Sequence, residues 1–390
     1  MRRARLIGVL AALVLAGCAT MAPTTGVGPH LMISGNDGKL PIFDGVYKVA
    51  EQVVPDTLTV LDTSTFPPKV LGQVELEHSV TAPPMAIALS PDEKLALVSA
   101  PNRVNPADRT KVVTDNFIQV VDLETMPPKV IGKVDLGRHP LGVSISRKGD
   151  LALAAHADGN ISVLTIQGKT VRHVDTVKIG EPSSSPRHVA ITPDGKWALA
   201  AKRGEDAVSV LSIEGAKVAY TKRDISVGNN PYGIDISPDG RLAAVANVGR
   251  GDGSNDSVTL IDLTRQPMRA VDYLAVGQTP EGLAISPDGQ WLAVTVMNGT
   301  NKAKDSPFRA EQGRLQLFSL KDAKPVKVAE AATGRNTQGV SFTPDGRHVL
   351  VQNYVEKELA VYRLTGSSLE DTGVRLPISG HPAAIRIAPR

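Results

Sequence analysis

A short apolar segment that runs into a turn recurs along most of the chain. Its clear copies begin with proline or threonine, carry glycine at the third position and apolar residues at the fourth and sixth, and end on serine or threonine. These copies occupy residues 140–146, 231–237, 280–286 and 337–343, and weaker copies occupy residues 84–90 and 186–192. Repetition at a fixed interval is typical of solenoids and propellers, so we consider it before any local assignment.

Most copies run directly into a Pro-Asp-Gly turn. Proline fixes φ at the first turn position, aspartate bonds backbone two residues on, and glycine adopts a positive φ without a clash. The pattern therefore predicts a hairpin between each repeated segment and the apolar strand after it. Both strands are apolar on both faces, which is typical of strands sandwiched between neighbouring sheets. A third and a fourth strand follow, as at residues 119–123 and 130–134.

The spacing of the copies indicates the architecture. Their ends lie 45 to 57 residues apart, the length of a four-stranded propeller blade with insertions. A seventh unit is split, because residues 381–388 form a first strand while residues 31–34 and 58–62 supply a second and a third. The sequence predicts an all-β, seven-bladed β-propeller over residues 31–390, its ring closed by N- and C-terminal strands that share one blade. We expect loss of the last ten residues to destabilise it severely, since it would expose sheet edges.

The N-terminal segment has the layout of an export signal. Three arginines precede an apolar run at residues 6–16, which is shorter than the roughly 20 residues that a membrane-spanning helix needs. Residues 15–18, Leu-Ala-Gly-Cys, resemble the lipobox of bacterial lipoproteins. The resemblance implies a signal peptide over residues 1–17, lipidation of Cys18 and a flexible tether over residues 18–30. An ordinary signal peptide with an incidental cysteine is the alternative.

The residues around the lipobox also suggest a location. Ala19 follows the cysteine, and by resemblance to the sorting rule of enteric bacteria this implies the periplasmic side of the outer membrane, with the lipid as the only membrane contact. Cys18 is the one cysteine in 390 residues, so the chain cannot form an intrachain disulfide or a thiolate metal cluster.

The balance of acidic and basic residues argues against nucleic acid as a partner. The chain has 43 Lys and Arg against 40 Asp and Glu, but the signal segment carries three arginines and no acid, so 40 basic and 40 acidic residues remain without it. Proteins that wrap nucleic acid carry an excess of positive charge. We therefore expect that the protein does not bind nucleic acid. We expect a monomer whose partner is either a small anionic or polyhydroxylated ligand or a periplasmic protein.

The repeat resembles a known family. Residues 231–247, with Pro-x-Gly, the Pro-Asp-Gly turn, an apolar strand and Asn, resemble the YVTN-type β-propellers, and the resemblance covers residues 31–390. This group includes YncE-like periplasmic proteins, archaeal surface-layer repeats and a branch that looks like the propeller-fold lactonases. The sequence differs from the eponymous tetrapeptide, since residues 244–247 read Ala-Val-Ala-Asn. The resemblance implies a fold and does not specify a reaction.

Three insertions indicate where a ligand would bind. They fall between second and third strands, at residues 101–116, 248–256 and 298–313, and so lie on one face of the predicted disc. Long loops on a rigid scaffold commonly carry binding sites. We call this side of the disc the loop face.

Polar side chains at the ends of first and second strands should gather on the loop face. The predicted ligand-binding residues are His156, Arg187, His188, Lys202, Arg203, Tyr232, Asn247, Glu281, Asn298 and Asn353. As a cluster they suggest a pocket for an anionic or polyhydroxylated ligand, with arginine, lysine and histidine as charge-assisted donors. Taken singly, each Asn or His could instead cap a loop by bonding nearby backbone.

The sequence favours a non-catalytic binding or scaffold protein. Its first alternative is a lactonase-like hydrolase of small cyclic esters, for which Glu281, His188 and Arg187 could supply acid–base and anion-binding groups. A binder of single-stranded nucleic acid, of YncE type, is the second. We assign no catalytic residue, and we predict no cofactor and no metal site.

Overall fold

The computed structural model describes residues 30–321 and 324–390. Seven four-stranded antiparallel sheets are arranged in a ring, and the first strands of neighbouring blades contact one another all the way round. The prediction of an all-β, seven-bladed β-propeller is confirmed. The predicted signal peptide, the lipidation site Cys18 and all of the tether except its last residue lie outside the described residues.

The strands follow one another in a regular order. The chain begins with β1 (Leu31–Asp37), continues through a separate hairpin of β2 (Ile42–Phe43) and β3 (Val46–Tyr47), and then forms β4 (Asp56–Asp62) and β5 (Lys69–Leu76). Blade 1 consists of β6 (Ile87–Leu89), β7 (Leu95–Val104), β8 (Val112–Asp122) and β9 (Lys129–Asp135). Blade 2 consists of β10 (Pro140–Ile145), β11 (Leu151–His156), β12 (Asn160–Gln167) and β13 (Thr170–Lys178).

The remaining blades repeat this plan. Blade 3 consists of β14 (Pro186–Ile191), β15 (Trp197–Lys202), β16 (Ala207–Glu214) and β17 (Lys217–Ser226), with 3₁₀ turns at Pro182–Ser184 and Arg203–Glu205. Blade 4 consists of β18 (Pro231–Ile236), β19 (Leu242–Asn247), β20 (Asp256–Asp262) and β21 (Arg269–Gly277), and blade 5 of β22 (Pro280–Ile285), β23 (Trp291–Val296), β24 (Gly313–Ser319) and β25 (Val326–Thr333). Blade 6 consists of β26 (Thr337–Phe342), β27 (His348–Asn353), β28 (Glu358–Thr365) and β29 (Ser368–Pro377), and β30 (His381–Ile387) completes blade 7.

The Pro-Asp-Gly turns form for the reasons that the sequence suggested. In blade 4 the Asp239 carboxylate accepts hydrogen bonds from the Ser237 hydroxyl at 2.6 Å and from the Arg241 amide at 3.1 Å, and Gly240 has a φ of 70°. The first two strands of each blade are almost entirely buried, whereas fourth strands such as β9 alternate between exposed and partly buried residues. The hydrophobic core therefore lies between neighbouring blades, close to the channel.

Blade 7 closes the ring as predicted. Its strand order is β30, β1, β4, β5, so the C-terminal strand pairs with the first strand of the chain. Gln352 of blade 6 reinforces this junction, because its amide donates to the Ser34 hydroxyl at 2.9 Å and to the Ala384 carbonyl at 2.8 Å. Its side-chain oxygen also accepts a bond from the Gly339 amide at 3.1 Å. One buried side chain thus joins three strands from two blades.

The insertions differ in structure. The one at residues 101–116 is a hairpin, since β7 and β8 continue to pair beyond the blade and Arg103 forms an ion pair with Asp115. Residues 38–55, between β1 and β4, form a further insertion that the sequence analysis did not identify, and it contains the β2–β3 hairpin. None of the helical segments in the described part of the chain has the length and apolarity needed to cross a membrane.

Deletion of residues 381–390 tests the closure. It removes β30 and leaves the buried inner edge of β1 without backbone partners, which costs about 1–3 kcal/mol for each unsatisfied group. We expect the truncated protein to lose its cooperative thermal transition in circular dichroism. As a control, a circular permutant that joins Arg390 to His30 by a short linker should melt like the full chain, because β1 and β30 are paired. A truncated protein that melts like the full chain would contradict this account.

Candidate functional site

The second residue of the repeated segment lies near the mouth of the central channel on the loop face. Blades 4, 5 and 6 place Tyr232, Glu281 and Gln338 there, and all three line a cavity of about 560 Å³. Arg187 holds the equivalent position in blade 3, and its charge acts on both Tyr232 and Glu281. The corresponding residues of blades 1, 2 and 7 are apolar, namely Met85, Leu141 and Ala383. The mouth is therefore polar on the side of blades 3 to 6.

Three insertions build the rest of the cavity wall. Residues 248–251 come from blade 4, residues 301–303 from blade 5, and residues 44–47 from the hairpin in blade 7. The blade 1 insertion at residues 101–116 does not line this cavity; its residues Arg103 and Val104 instead line a separate groove of about 460 Å³ between blades 7 and 1. Of the three insertions predicted to lie on the loop face, this one therefore contributes nothing to the cavity wall, because its strands pair with each other.

Glu281 places a buried carboxyl group on the wall of the cavity. Its residue is 8% exposed, and within residues 30–321 and 324–390 no hydrogen bond or ion pair holds its carboxylate. Burial raises the pKa of Glu281 to about 7, and this effect outweighs the opposing influence of Arg203 and Arg187. Both the acid and the carboxylate are therefore populated near neutral pH, as a general acid–base catalyst requires.

Two guanidinium groups share the cavity region with Glu281. In the described portion of the chain, neither Arg187 nor Arg203 forms an ion pair, in contrast to arginines such as Arg314, Arg335 and Arg375. Burial lowers the pKa of Arg187, and its Nε is buried without a hydrogen-bond partner. The Arg203 guanidinium carbon lies 5.9 Å from the centroid of the Tyr232 ring. Two unpaired cations whose charges act on one carboxylate give this region a net positive charge, which favours an anionic ligand.

Tyr232 adds a neutral donor. It is 7% exposed, and burial together with the charge of Glu281 raises the pKa of its hydroxyl. The hydroxyl therefore stays protonated at neutral pH and can donate a hydrogen bond to a ligand oxygen.

Two of the predicted residues, both histidines, lie away from this cavity. His156 is buried inside blade 2, where Nδ1 lies 3.2 Å from the His139 carbonyl and Nε2 lies 2.8 Å from the Ser162 hydroxyl. His188 lies deeper in the channel, where its Nδ1 accepts a hydrogen bond from the Ile234 amide at 3.3 Å. Burial holds the pKa of His188 well below its ordinary value. Both rings therefore contribute to packing, and His188 does not reach Glu281 in the role that the sequence suggested for it.

The other predicted residues are bound within their own blades or loops. Lys202 is 2% exposed and pairs with Glu205 at 2.5 Å and Asp224 at 2.6 Å. Hydrogen bonds of 2.8 to 3.2 Å from the side-chain amides hold the three asparagines: Asn247 donates to Thr259, Asn298 to the Gln312 carbonyl and Asn353 to Glu358. The structure thus brings together Arg187, Arg203, Tyr232 and Glu281 and places the other six elsewhere.

Sequence reasoning missed the hairpin that carries Tyr47. Residues 42–47 read Ile-Phe-Asp-Gly-Val-Tyr, and an Asp-Gly pair between apolar residues is a strong hairpin signal. The charges of Glu281, Arg203 and Arg187 all act on the Tyr47 hydroxyl, so the hairpin reaches the polar side of the mouth. No group of three or more potential metal-ligating side chains converges in the part of the chain that the structure describes.

Comparisons with known proteins fit this geometry. The model of the family described as lactonase, 7-bladed beta-propeller, matches residues 102–232 and 169–262, which is less than half of the chain. The match supports a propeller of lactonase-like type and favours the first alternative of the sequence analysis over its scaffold interpretation. No curated protein sequence matches the chain.

Solved structures establish the architecture independently. The periplasmic gluconolactonase PpgL of Pseudomonas aeruginosa aligns with a TM-score of 0.66 and 19% identity, covering 92% of this chain and 99% of its own. A proposed 6-phosphogluconolactonase of Bacteroides fragilis aligns with a TM-score of 0.70 and 16% identity, covering 94% and 99%. Hydrazine synthase of Kuenenia stuttgartiensis aligns with a TM-score of 0.61 and 19% identity over 80% and 91%. At such identities the likeness shows the fold alone.

The pKa of Glu281 has a consequence for stability. The unfolded chain loses this proton near pH 4.5 and the folded protein near 7, so the free energy of unfolding falls as pH rises through that window. We expect Glu281→Gln to be more stable than the wild type at pH 8 by about 3 kcal/mol, and equally stable at pH 4. Urea unfolding at both pH values measures the difference. The exposed Glu214→Gln is the matched control and should show no such change. Equal stabilities of wild type and Glu281→Gln at pH 8 would rule out the raised pKa.

Proposed function

We propose that the protein is a lactonase-type hydrolase that opens a small polyhydroxylated lactone bearing an anionic group. The observation that carries the proposal is the buried, unpaired Glu281 on the wall of a cavity that Arg203 also lines, with the charges of Arg203 and Arg187 both acting on its carboxylate. The lactonase family match supports the same reaction class. A recessed cavity of about 560 Å³ also lies within the range of small-molecule sites, whereas a scaffold would use a broad, flat face.

The reaction needs one base and a stabilised oxyanion. The Glu281 carboxylate takes a proton from a water molecule as the water oxygen bonds to the lactone carbonyl carbon. An arginine stabilises the negative charge that develops on the carbonyl oxygen. The ring C–O bond then breaks, and Glu281 returns the proton to the leaving alkoxide. The product is a hydroxy acid, and no cofactor or oxidant is required.

The charges around the cavity suggest the substrate class. Arg187 and Arg203 outnumber Glu281, so a lactone with a phosphate or carboxylate group would bind with charge-assisted hydrogen bonds. The Tyr232 hydroxyl and the Gln338 amide lie on the same wall and suit sugar hydroxyls. Among the solved structures that align with this chain, one is named as a gluconolactonase and another as a proposed 6-phosphogluconolactonase. Sugar-acid lactones are therefore the first substrates to test.

The hydrolysis experiment compares two lactones. Wild type should hydrolyse glucono-1,5-lactone or its 6-phosphate faster than the buffer does. Because Glu281 acts deprotonated, kcat/KM should rise with pH, with a midpoint near 7, and then reach a plateau. Glu281→Gln should lose about 10²–10⁴-fold in kcat/KM. Arg203→Gln should raise KM more for the phosphorylated lactone than for the neutral one. Arg363→Gln is the control and should change neither constant, because Arg363 is half-buried in blade 6 and does not line the cavity.

Two results would overturn the proposal. One is a wild type that leaves both lactones at the uncatalysed rate. The other is a Glu281→Gln variant that retains the full rate, since the proposed base would then be dispensable.

We also propose that a lipid on Cys18 holds the protein on the periplasmic side of the outer membrane. The support is the lipobox-like sequence at residues 15–18. Labelling cells with an alkyne fatty acid should modify the wild type, whereas Cys18→Ser should remain unlabelled and fractionate as soluble protein. Unlabelled wild type would indicate an ordinary signal peptide. The expected monomeric state and the absence of a nucleic-acid partner remain predictions.

A further inference from the structure

The insertion in blade 7 forms a strap beside the cavity, which we define as residues 40–50. Its two-residue turn, Asp44-Gly45, has φ values of 50° and 79°, the signs that a tight type I′ hairpin turn requires. The Ala50 amide donates to the Lys39 carbonyl at 2.8 Å and closes the base of the strap. The strap is therefore a defined hairpin.

Blades 6 and 7 hold the strap along its length. The Tyr354 hydroxyl donates to the Leu40 carbonyl at 2.8 Å, and the Asn336 amide donates to the Ile42 carbonyl at 2.9 Å. The Phe43 ring packs edge-on against His381 with the centroids 5.8 Å apart. These contacts fix where the strap crosses the channel mouth.

The tip of the strap reaches blade 5. Arg309 Nη1 donates to the Asp44 carboxylate at 2.7 Å, and Lys304 Nζ lies 3.7 Å from the same group. A β-carbon at Gly45 would lie 3.1 Å from the Asn301 carbonyl oxygen, so the turn is packed against the blade 5 loop. The strap thus spans from blade 7 to blade 5 and forms one wall of the cavity.

The strap presents apolar side chains to the cavity. Val46 is 60% exposed and Tyr47 is 57% exposed, and both line the cavity. Tyr232, Tyr354 and Tyr362, by contrast, are buried. Tyr47 lies close enough to Glu281 and Arg203 for their charges to act on its hydroxyl. An exposed aromatic ring on the wall of a cavity whose other side is charged indicates a surface that a ligand covers.

We propose that Tyr47 is a specificity-determining residue of this site, with its ring packed against the apolar C–H face of a sugar-lactone ring bound next to Glu281. This inference rests on the proposed function and extends it, because it assigns the selection of cyclic over acyclic ligands to one side chain. A sugar ring has a face made of C–H groups and an edge of hydroxyls. Tyr47 and Val46 fit the face, whereas Tyr232, Gln338 and the arginines fit the edge.

A binding experiment separates this inference from the proposed function. The probes are glucono-1,5-lactam, a cyclic analogue that resists hydrolysis, and the acyclic anion gluconate, both measured by calorimetry. The proteins are wild type, Tyr47→Ala, Tyr47→Phe and, as a matched control, Tyr273→Ala, because Tyr273 is 51% exposed on an outer strand of blade 4. Tyr47 is exposed, so its variants should fold, and a thermal melt checks this.

The expected pattern is selective. Tyr47→Ala should weaken lactam binding about tenfold and leave gluconate binding within about twofold, since only the cyclic probe offers a ring face. Tyr47→Phe should restore lactam affinity, and Tyr273→Ala should match the wild type for both probes. A purely structural role for Tyr47 would instead weaken both probes equally.

Each contrary outcome has its own meaning. Lactam binding that is unchanged in Tyr47→Ala, or reduced together with gluconate binding, would overturn the inference and leave the proposed function standing. Lactam binding by a wild type that hydrolyses no lactone would overturn the proposed function alone. A wild type that does not bind the lactam would overturn the inference, whereas the hydrolysis experiment decides the proposed function by itself.

Discussion

The architecture depends on how closely the first strands of neighbouring blades approach one another around the channel. A β-carbon at Gly142 would lie 2.6 Å from Cδ2 of His188, and one at Gly282 would lie 2.6 Å from the Gln338 carbonyl oxygen. Both distances are shorter than real β-carbons tolerate, so the third residue of these strands must be glycine. The second residue of the repeated segment then lies at the channel mouth, near its counterparts from other blades.

The chemistry of the site follows from which residues occupy that second position. Blades 3 to 6 place Arg187, Tyr232, Glu281 and Gln338 there, whereas the other three blades place apolar residues. Burial of an unpaired carboxylate costs free energy, and a fold that keeps one next to two unpaired cations gives up stability at this point. Such strain is typical of sites that bind or transform a charged ligand. The strap and the loops of blades 4 and 5 then give the cavity its walls.

The fold could be predicted from the sequence because the repeated segment and its turn predict a hairpin, and the spacing between copies gives the number of blades. The site could be predicted only in part. Arg187, Tyr232 and Glu281 were predicted because they lie at the ends of first strands, and the structure places them near the channel mouth. Residues that end second strands point into the blade instead, so Asn247 meets Thr259 and His156 meets Ser162. Tyr47 was missed because residues 38–55 lie outside the repeat, although their Asp-Gly turn was visible in the sequence.

The protonation of Glu281 is the central claim of this account. Carbon-13 NMR of the side-chain carboxyls, titrated between pH 3 and 9 in wild type and in Glu281→Gln, measures it directly. The account requires one carboxyl resonance with a midpoint near 7 that is missing from the variant, because burial outweighs the two arginines. A Glu281 resonance that titrates near the ordinary 4.5 would show a solvated or paired carboxylate, and the site would then lack its acid–base group.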